Sequence, residues 1–149
     1  LEAESELARI LGEAIAGLDA PESETLLEPG SAYREALRTE IEAVVRSEEW
    51  ALYVEGELWR ELPFLHLLGP REWRLGAYDL FQPGREEDAE RVPRVVDFKT
   101  HEIGAEEVPD TAATYAIQAA VYREAAATIL DRPVQVSLHF THPNVAIDV

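Results

Sequence analysis

The order of periodic segments predicts an α+β (α/β) domain: a helical N-terminal part, then a β-meander, a long helix and one more strand. Three observations carry this. Strand-like segments rich in aromatic and branched residues follow residue 54, Gly and Pro separate them, and the apolar positions before residue 50 keep helical spacing instead. A helix placed between the meander and the last strand would cover one face of the sheet.

Residues 2–18 read as a helix, with Leu7, Ile10, Leu11, Ala14, Ile15 and Leu18 near helical spacing. A connection over 21–30 leads to Ser31, an N-cap for a second helix carrying Leu37, Ile41, Val44 and Val45 on one face. The strand candidates 58–67, 72–82 and 94–100 come next, with turns at Leu68-Gly69-Pro70 and from Pro83-Gly84 to Pro93. Within that second turn, the charged run from Gly84 to Arg91 reads as a solvated hairpin loop. A helix over 111–130 ends at the Asp131-Arg132-Pro133 break. A strand over 134–141 closes the pattern, with Val134, Val136, Leu138 and Phe140 alternating.

Composition bounds the function. The 149 residues suit one domain, with 1–50 as its helical part and 54–141 as its core, and 46% hydrophobic residues suffice for a buried interior. Without cysteine, disulfides, thiolate zinc sites and iron–sulfur clusters are excluded, so a metal would be held by oxygen or imidazole. No apolar run reaches the roughly 20 residues that span a bilayer, and the N-terminus lacks signal-peptide features. A cytoplasmic protein with no membrane partner is expected. With no methionine there is no initiator, and the sequence reads as a piece of a longer chain. The net charge of −17 suits a highly solvated surface or a salt-rich, halophilic cytoplasm, and taken alone it argues against nucleic acid as a partner, because a phosphate backbone is normally met by a basic patch. Lysine occurs once, at position 99.

That lysine stands in Val95-Val96-Asp97-Phe98-Lys99-Thr100, where strand alternation puts Asp97 and Lys99 on one face. Alone, Asp-x-Lys is most simply a surface ion pair of small value. The preceding strand, however, carries Gly76-Ala77-Tyr78-Asp79, so neighbouring strands can bring two carboxylates together. Like charges at close range on an apolar sheet are costly unless a cation lies between them. Aspartate oxygens favour a hard ion, Mg2+ or Mn2+. Glu61 adds a third acid on the first strand, and Gln118 and Tyr122 share a face of the long helix, with Tyr115 one turn earlier. By themselves the helix residues are simply an amphipathic border.

In this order, Glu61 in Glu-Leu-Pro-Phe, Gly76-Ala77-Tyr78-Asp79-Leu80, Asp97-Phe98-Lys99-Thr100 and Gln118-Ala-Ala-Val-Tyr122 resemble the nuclease domain of the RecB and AddA family, within the PD-(D/E)XK nuclease superfamily. The resemblance implies a restriction-endonuclease-like core with a central mixed β-sheet flanked by helices. It also implies metal ligation by Asp79, Asp97 and the backbone carbonyl of Phe98, with Glu61 at the metal directly or through water. Lys99 would orient the attacking water or steady charge on the phosphate, and Gln118 and Tyr122 would position the DNA strand or brace the site. The function so implied is an Mg2+- or Mn2+-dependent deoxyribonuclease, exonucleolytic in the family pattern, that resects single-stranded or end-bearing DNA in recombination and repair. Its partners would be helicase domains of the same chain and a partner subunit.

The family also places a metal-binding His on a helix early in the domain. Here His66, His101, His139 and His142 all follow Glu61, and they read most simply as surface or core side chains. The alternative is a non-catalytic DNA-guiding or scaffolding domain that keeps the nuclease fold.

Overall fold

The structure, a computed structural model, describes residues 31–84 and 92–149. The helix expected over 2–18, the connection 21–30 and the charged loop at 85–91 lie outside the described residues. The chain divides into two compact units, Leu1–Trp50 and Ala51–Val149.

In the first unit, helix α1 (Ala32–Val45) starts where the sequence expects it. Ser31 is extended and its hydroxyl accepts from the Arg34 N–H at 3.2 Å, satisfying one of the free amides of the first turn. Val44 is buried, and Leu37, Ile41 and Val45 on the same stripe are half-buried. A short helix α2 (Glu48–Tyr53) follows without having been expected. Ser47 starts it, accepting from the Trp50 N–H at 3.1 Å, and its last residues enter the second unit.

The second unit is built on a five-stranded mixed sheet in the order β1-β2-β3-β4-β5. Strands β1 (Trp59–Gly69), β2 (Glu72–Gln82) and β3 (Arg94–Lys99) form the expected antiparallel meander. Strand β4 (Gln135–Phe140) joins β3 in parallel, and β5 (Val145–Asp148) adds an antiparallel edge. This general α+β architecture agrees with the sequence reading.

Three local differences have physical causes. β1 runs to Gly69, so the turn is the two residues Pro70 and Arg71, and a register shift between Leu67 and Gly69 absorbs the extra residue. The helix expected over 111–130 is two helices, α3 (Val108–Ala113) and α4 (Ala116–Leu130). Thr114 and Tyr115 lie between them, and their N–H groups bond to Thr111 and Ala112 carbonyls at 3.1 and 2.9 Å in the tighter three-residue pattern. Strand β5 was not expected: four residues give too short a window for alternation to register.

The parallel ladder pairs Val95 with Val136, Asp97 with Leu138 and Lys99 with Phe140, so these six share one face. On it, Val95 and Val136 pack with Ala119, Ala125 and Ala126 of α4. Leu138 and Phe140 pack with Val108 and Ala112 of α3. Small residues on both helices let them lie close to the sheet, and Asp97 and Lys99 fall between the two clusters. The other face carries Val96, Phe98, Ser137 and His139, with Tyr53 edge-on to Phe98 and His139. Among the described residues, no helix is long and apolar enough to cross a membrane.

Candidate active site

Gly76 explains how the aromatic part of the site is assembled. It stands opposite Phe64 in the β1–β2 ladder, and the Phe64 ring occupies the space a β-carbon would need: two ring carbons would lie 2.6 and 2.7 Å from it. With that space free, Phe64 stacks on Tyr78 at 4.5 Å between ring centres, and Tyr122 of α4 meets both rings edge-on at 5.5 and 5.4 Å. Burial pushes the Tyr78 phenol up to about 12, with Tyr122 adding to the shift. The aromatic cluster fixes Tyr122 against the sheet.

From Tyr122 a polar chain runs back to β3. The Gln118 amide nitrogen donates to the Tyr122 hydroxyl at 3.1 Å, and the Gln118 carbonyl oxygen accepts from Lys99 Nζ at 2.9 Å. Lys99 Nζ lies 2.5 Å from Asp97 Oδ2 in an ion pair. The contact is close, yet its direction does not meet hydrogen-bond geometry, and Asp97 Oδ2 is a buried oxygen without a hydrogen bond. Coulomb attraction has no directional requirement, so the two charges stabilise one another at this distance. Burial and nearby acids, Asp97 first, raise the Tyr122 hydroxyl against the opposing bond from Gln118.

Asp79 enters from β2. Pairing of β2 with β3 runs from Gln82↔Arg94 to Leu80↔Val96, and beyond it the Asp79 carboxylate accepts the Phe98 N–H at 2.7 Å. Burial pushes the Asp79 carboxyl from 3.8 up to about 6; the Phe98 bond opposes this, Asp97 and Glu61 add to it, and Lys99 opposes it again. Glu61 lies between the pairs Arg60↔Leu80 and Leu62↔Tyr78, level with Asp79. Its φ of 47° is in the left-handed region, unusual for a strand residue with a side chain.

Of the residues singled out in the sequence, Asp97, Lys99, Gln118 and Tyr122 form one chain of contacts, Asp79 is tied to the Phe98 N–H, and Glu61 acts on Asp79 through its charge. The four histidines divide. His139 is fully buried on the opposite face, His66 is buried with its Nε2 3.7 Å from Glu124, and His101 and His142 are exposed, His101 beside Tyr115. Sequence reasoning left Tyr115 and His101 without a role, because they meet only through the break between α3 and α4. The signal available was the two-residue spacing of Lys99 and His101.

Among the described residues, no three His, Asp or Glu side chains form a group that could hold a metal ion unaided. The donors nevertheless suit Mg2+, which keeps several waters and is commonly held through one or two carboxylates. Asp97 Oδ2 is buried against the Lys99 ammonium, and Asp79 is held back from ionising first by burial and then by Asp97 and Glu61, a penalty that a divalent cation would ease.

No family model matches the sequence, and no curated protein matches it.

Proposed function

We propose that the chain is a metal-dependent DNA nuclease domain of the PD-(D/E)XK type, related to the RecB and AddA nucleases and working with helicase domains in end resection. The observation that carries the reading is the Asp97–Lys99 pair on β3 with the Asp79 carboxylate bonded to the Phe98 N–H between them, three charged groups that act on one another. Asp79, Asp97 and the Phe98 carbonyl would hold Mg2+ or Mn2+, with Glu61 reaching it directly or through water. Such an ion supplies a more acidic bound water and neutralises charge gained by the phosphate.

The chain's own residues supply the rest. Lys99 carries a fixed positive charge beside the carboxylates, suited to orienting a water or meeting charge that develops on a phosphate oxygen. Gln118 fixes that ammonium from α4, which limits how far Lys99 can swing when Asp97 turns to a cation. Tyr122, braced by Phe64 and Tyr78, holds Gln118 in turn. The acidic surplus elsewhere keeps DNA at a distance in dilute buffer and is screened in salt.

One contact favours a second reading, a non-catalytic DNA-guiding or scaffolding domain: the Lys99 ammonium already neutralises Asp97 at 2.5 Å. The test is cleavage of end-bearing and single-stranded DNA with Mg2+, Mn2+ or a chelator. The nuclease reading expects cleavage that needs the ion and disappears in Asp97→Ala; DNA binding without cleavage at any ion concentration supports the guiding domain instead.

A further inference from the structure

We infer that Tyr115 is a positioning residue for Lys99, holding the ammonium on the face of its ring, and that His101 sets the ring in place. Lys99 Nζ lies 3.9 Å from the Tyr115 ring centre, and the His101 ring nitrogen Nε2 is 2.5 Å from the Tyr115 hydroxyl. The inference rests on the nuclease reading only for the task it assigns to Lys99.

Three groups converge on the ammonium from different elements: Asp97 from β3, Gln118 from α4 and the Tyr115 ring from the break between α3 and α4. They are not equivalent. A carboxylate that turns to bind a cation withdraws from Lys99, and one amide oxygen fixes a distance without fixing a direction. The ring face is a broad negative surface that does not ligate a hard ion, so it keeps its hold when Asp97 leaves. Nor is its own position left to chance. Tyr115 packs against the Val108, Ala112, Leu138 and Phe140 cluster, its N–H bonds to the Ala112 carbonyl at 2.9 Å, and its hydroxyl is tied to His101, whose ring lies 6.1 Å from that of Phe140. Tyr115 stands at the break between α3 and α4.

Because Lys99 is the single lysine, 13C-lysine labelling of the whole protein gives one set of side-chain resonances, readable with or without activity. An ammonium chain over a ring face puts its Hε protons upfield of free lysine. That shift is expected in the wild type and in Tyr115→Phe, which keeps the ring, and is expected to vanish in Tyr115→Leu. Wild-type Hε protons at the free-lysine position, or an unchanged shift in Tyr115→Leu, would overturn the inference. In cleavage assays, Tyr115→Leu should lower kcat about tenfold at unchanged KM, as for loss of a partly desolvated cation–π contact. Tyr115→Phe should recover most of it, and His101→Ala should cost about twofold. Equal kcat for Tyr115→Leu and the wild type also overturns it. If wild-type protein cleaves no DNA with any ion, the nuclease reading fails by itself, and the lysine resonances alone decide whether Tyr115 holds Lys99.

Discussion

Two polar clusters lie back to back across β3 and β4, and they have opposite characters. On the face away from the helices, His139 is fully buried with both ring nitrogens occupied: Tyr53 Oη lies 3.3 Å from Nδ1 and Asn144 Oδ1 3.1 Å from Nε2. Those partners assign the proton to Nε2, which donates to Asn144, leaving Nδ1 to accept from the tyrosine. On the helix face, the buried Asp97 Oδ2 has the Lys99 ammonium beside it outside hydrogen-bond geometry, and the Asp79 carboxyl is raised by burial and by the acids near it. A buried polar group that is fully paired stabilises a fold, whereas one that is left short costs free energy and persists where a ligand or a reaction needs it. The first cluster is therefore fully paired, and the second is the one the proposed function uses.

This contrast can be broken from either side. The largest expected effect is on the helix face: Asp97→Ala should lower metal-dependent cleavage by at least about 1,000-fold. Cleavage near the wild-type rate would remove Asp97 from the site. On the opposite face, His139→Ala should cost about 3 kcal/mol in a denaturant titration, by opening a cavity and orphaning the Tyr53 and Asn144 groups; cleavage per folded molecule should stay within about twofold.

Next comes Gly76→Ala, which drives a methyl group into the Phe64 ring and should destabilise by about 2 kcal/mol. Paired with Phe64→Leu, much of that loss should return, because the smaller side chain vacates the space. Additive losses in the double variant would mean that the Phe64 contact is not the reason for glycine.

Asp79→Asn sharpens the comparison through pH. The carboxyl is at about 6 in the folded protein against 3.8 ordinarily, so between those values the folded state keeps a proton the unfolded chain has released. Without metal, stability therefore falls as pH rises through that window and stays reduced above it. The Asn variant keeps an acceptor for Phe98 and lacks the penalty. It should melt higher than the wild type at pH 8, and the gap should close toward pH 4; Mg2+ at pH 8 should raise the melting temperature of the wild type alone. A gap that widens on acidification would reverse the sign of the argument. The smallest effect is at Glu61, where Glu61→Gly should stabilise the metal-free protein by about 1 kcal/mol by relieving the left-handed backbone, read as a shift in denaturation midpoint.

How much of this could be read beforehand depends on sequence separation. Asp97 and Lys99 are two residues apart on a strand, so alternation alone puts them side by side, and the pairing of adjacent meander strands carries Asp79 to them. Gln118 and Tyr122 are four apart on a helix, and their shared face follows from its period. Legibility ended where geometry depends on an interruption. The break at Thr114 and Tyr115 has neither Gly nor Pro to mark it, so the ring that meets Lys99 was hidden inside an apparently continuous helix. The His139 cluster joins residues 86 positions apart, through a helix of six residues that no periodicity announces. Glycine at position 76 was visible as part of a motif, but its reason, the Phe64 ring lying over it, is a tertiary contact.

The central claim, that Asp79 and Asp97 together hold a divalent cation, is tested most directly by calorimetric titration of the protein with Mn2+. The account predicts saturable binding in the wild type that disappears in Asp79→Ala and in Asp97→Asn and survives His139→Ala in the folded fraction. Absence of binding in the wild type, or binding unchanged when both aspartates are replaced, would contradict it.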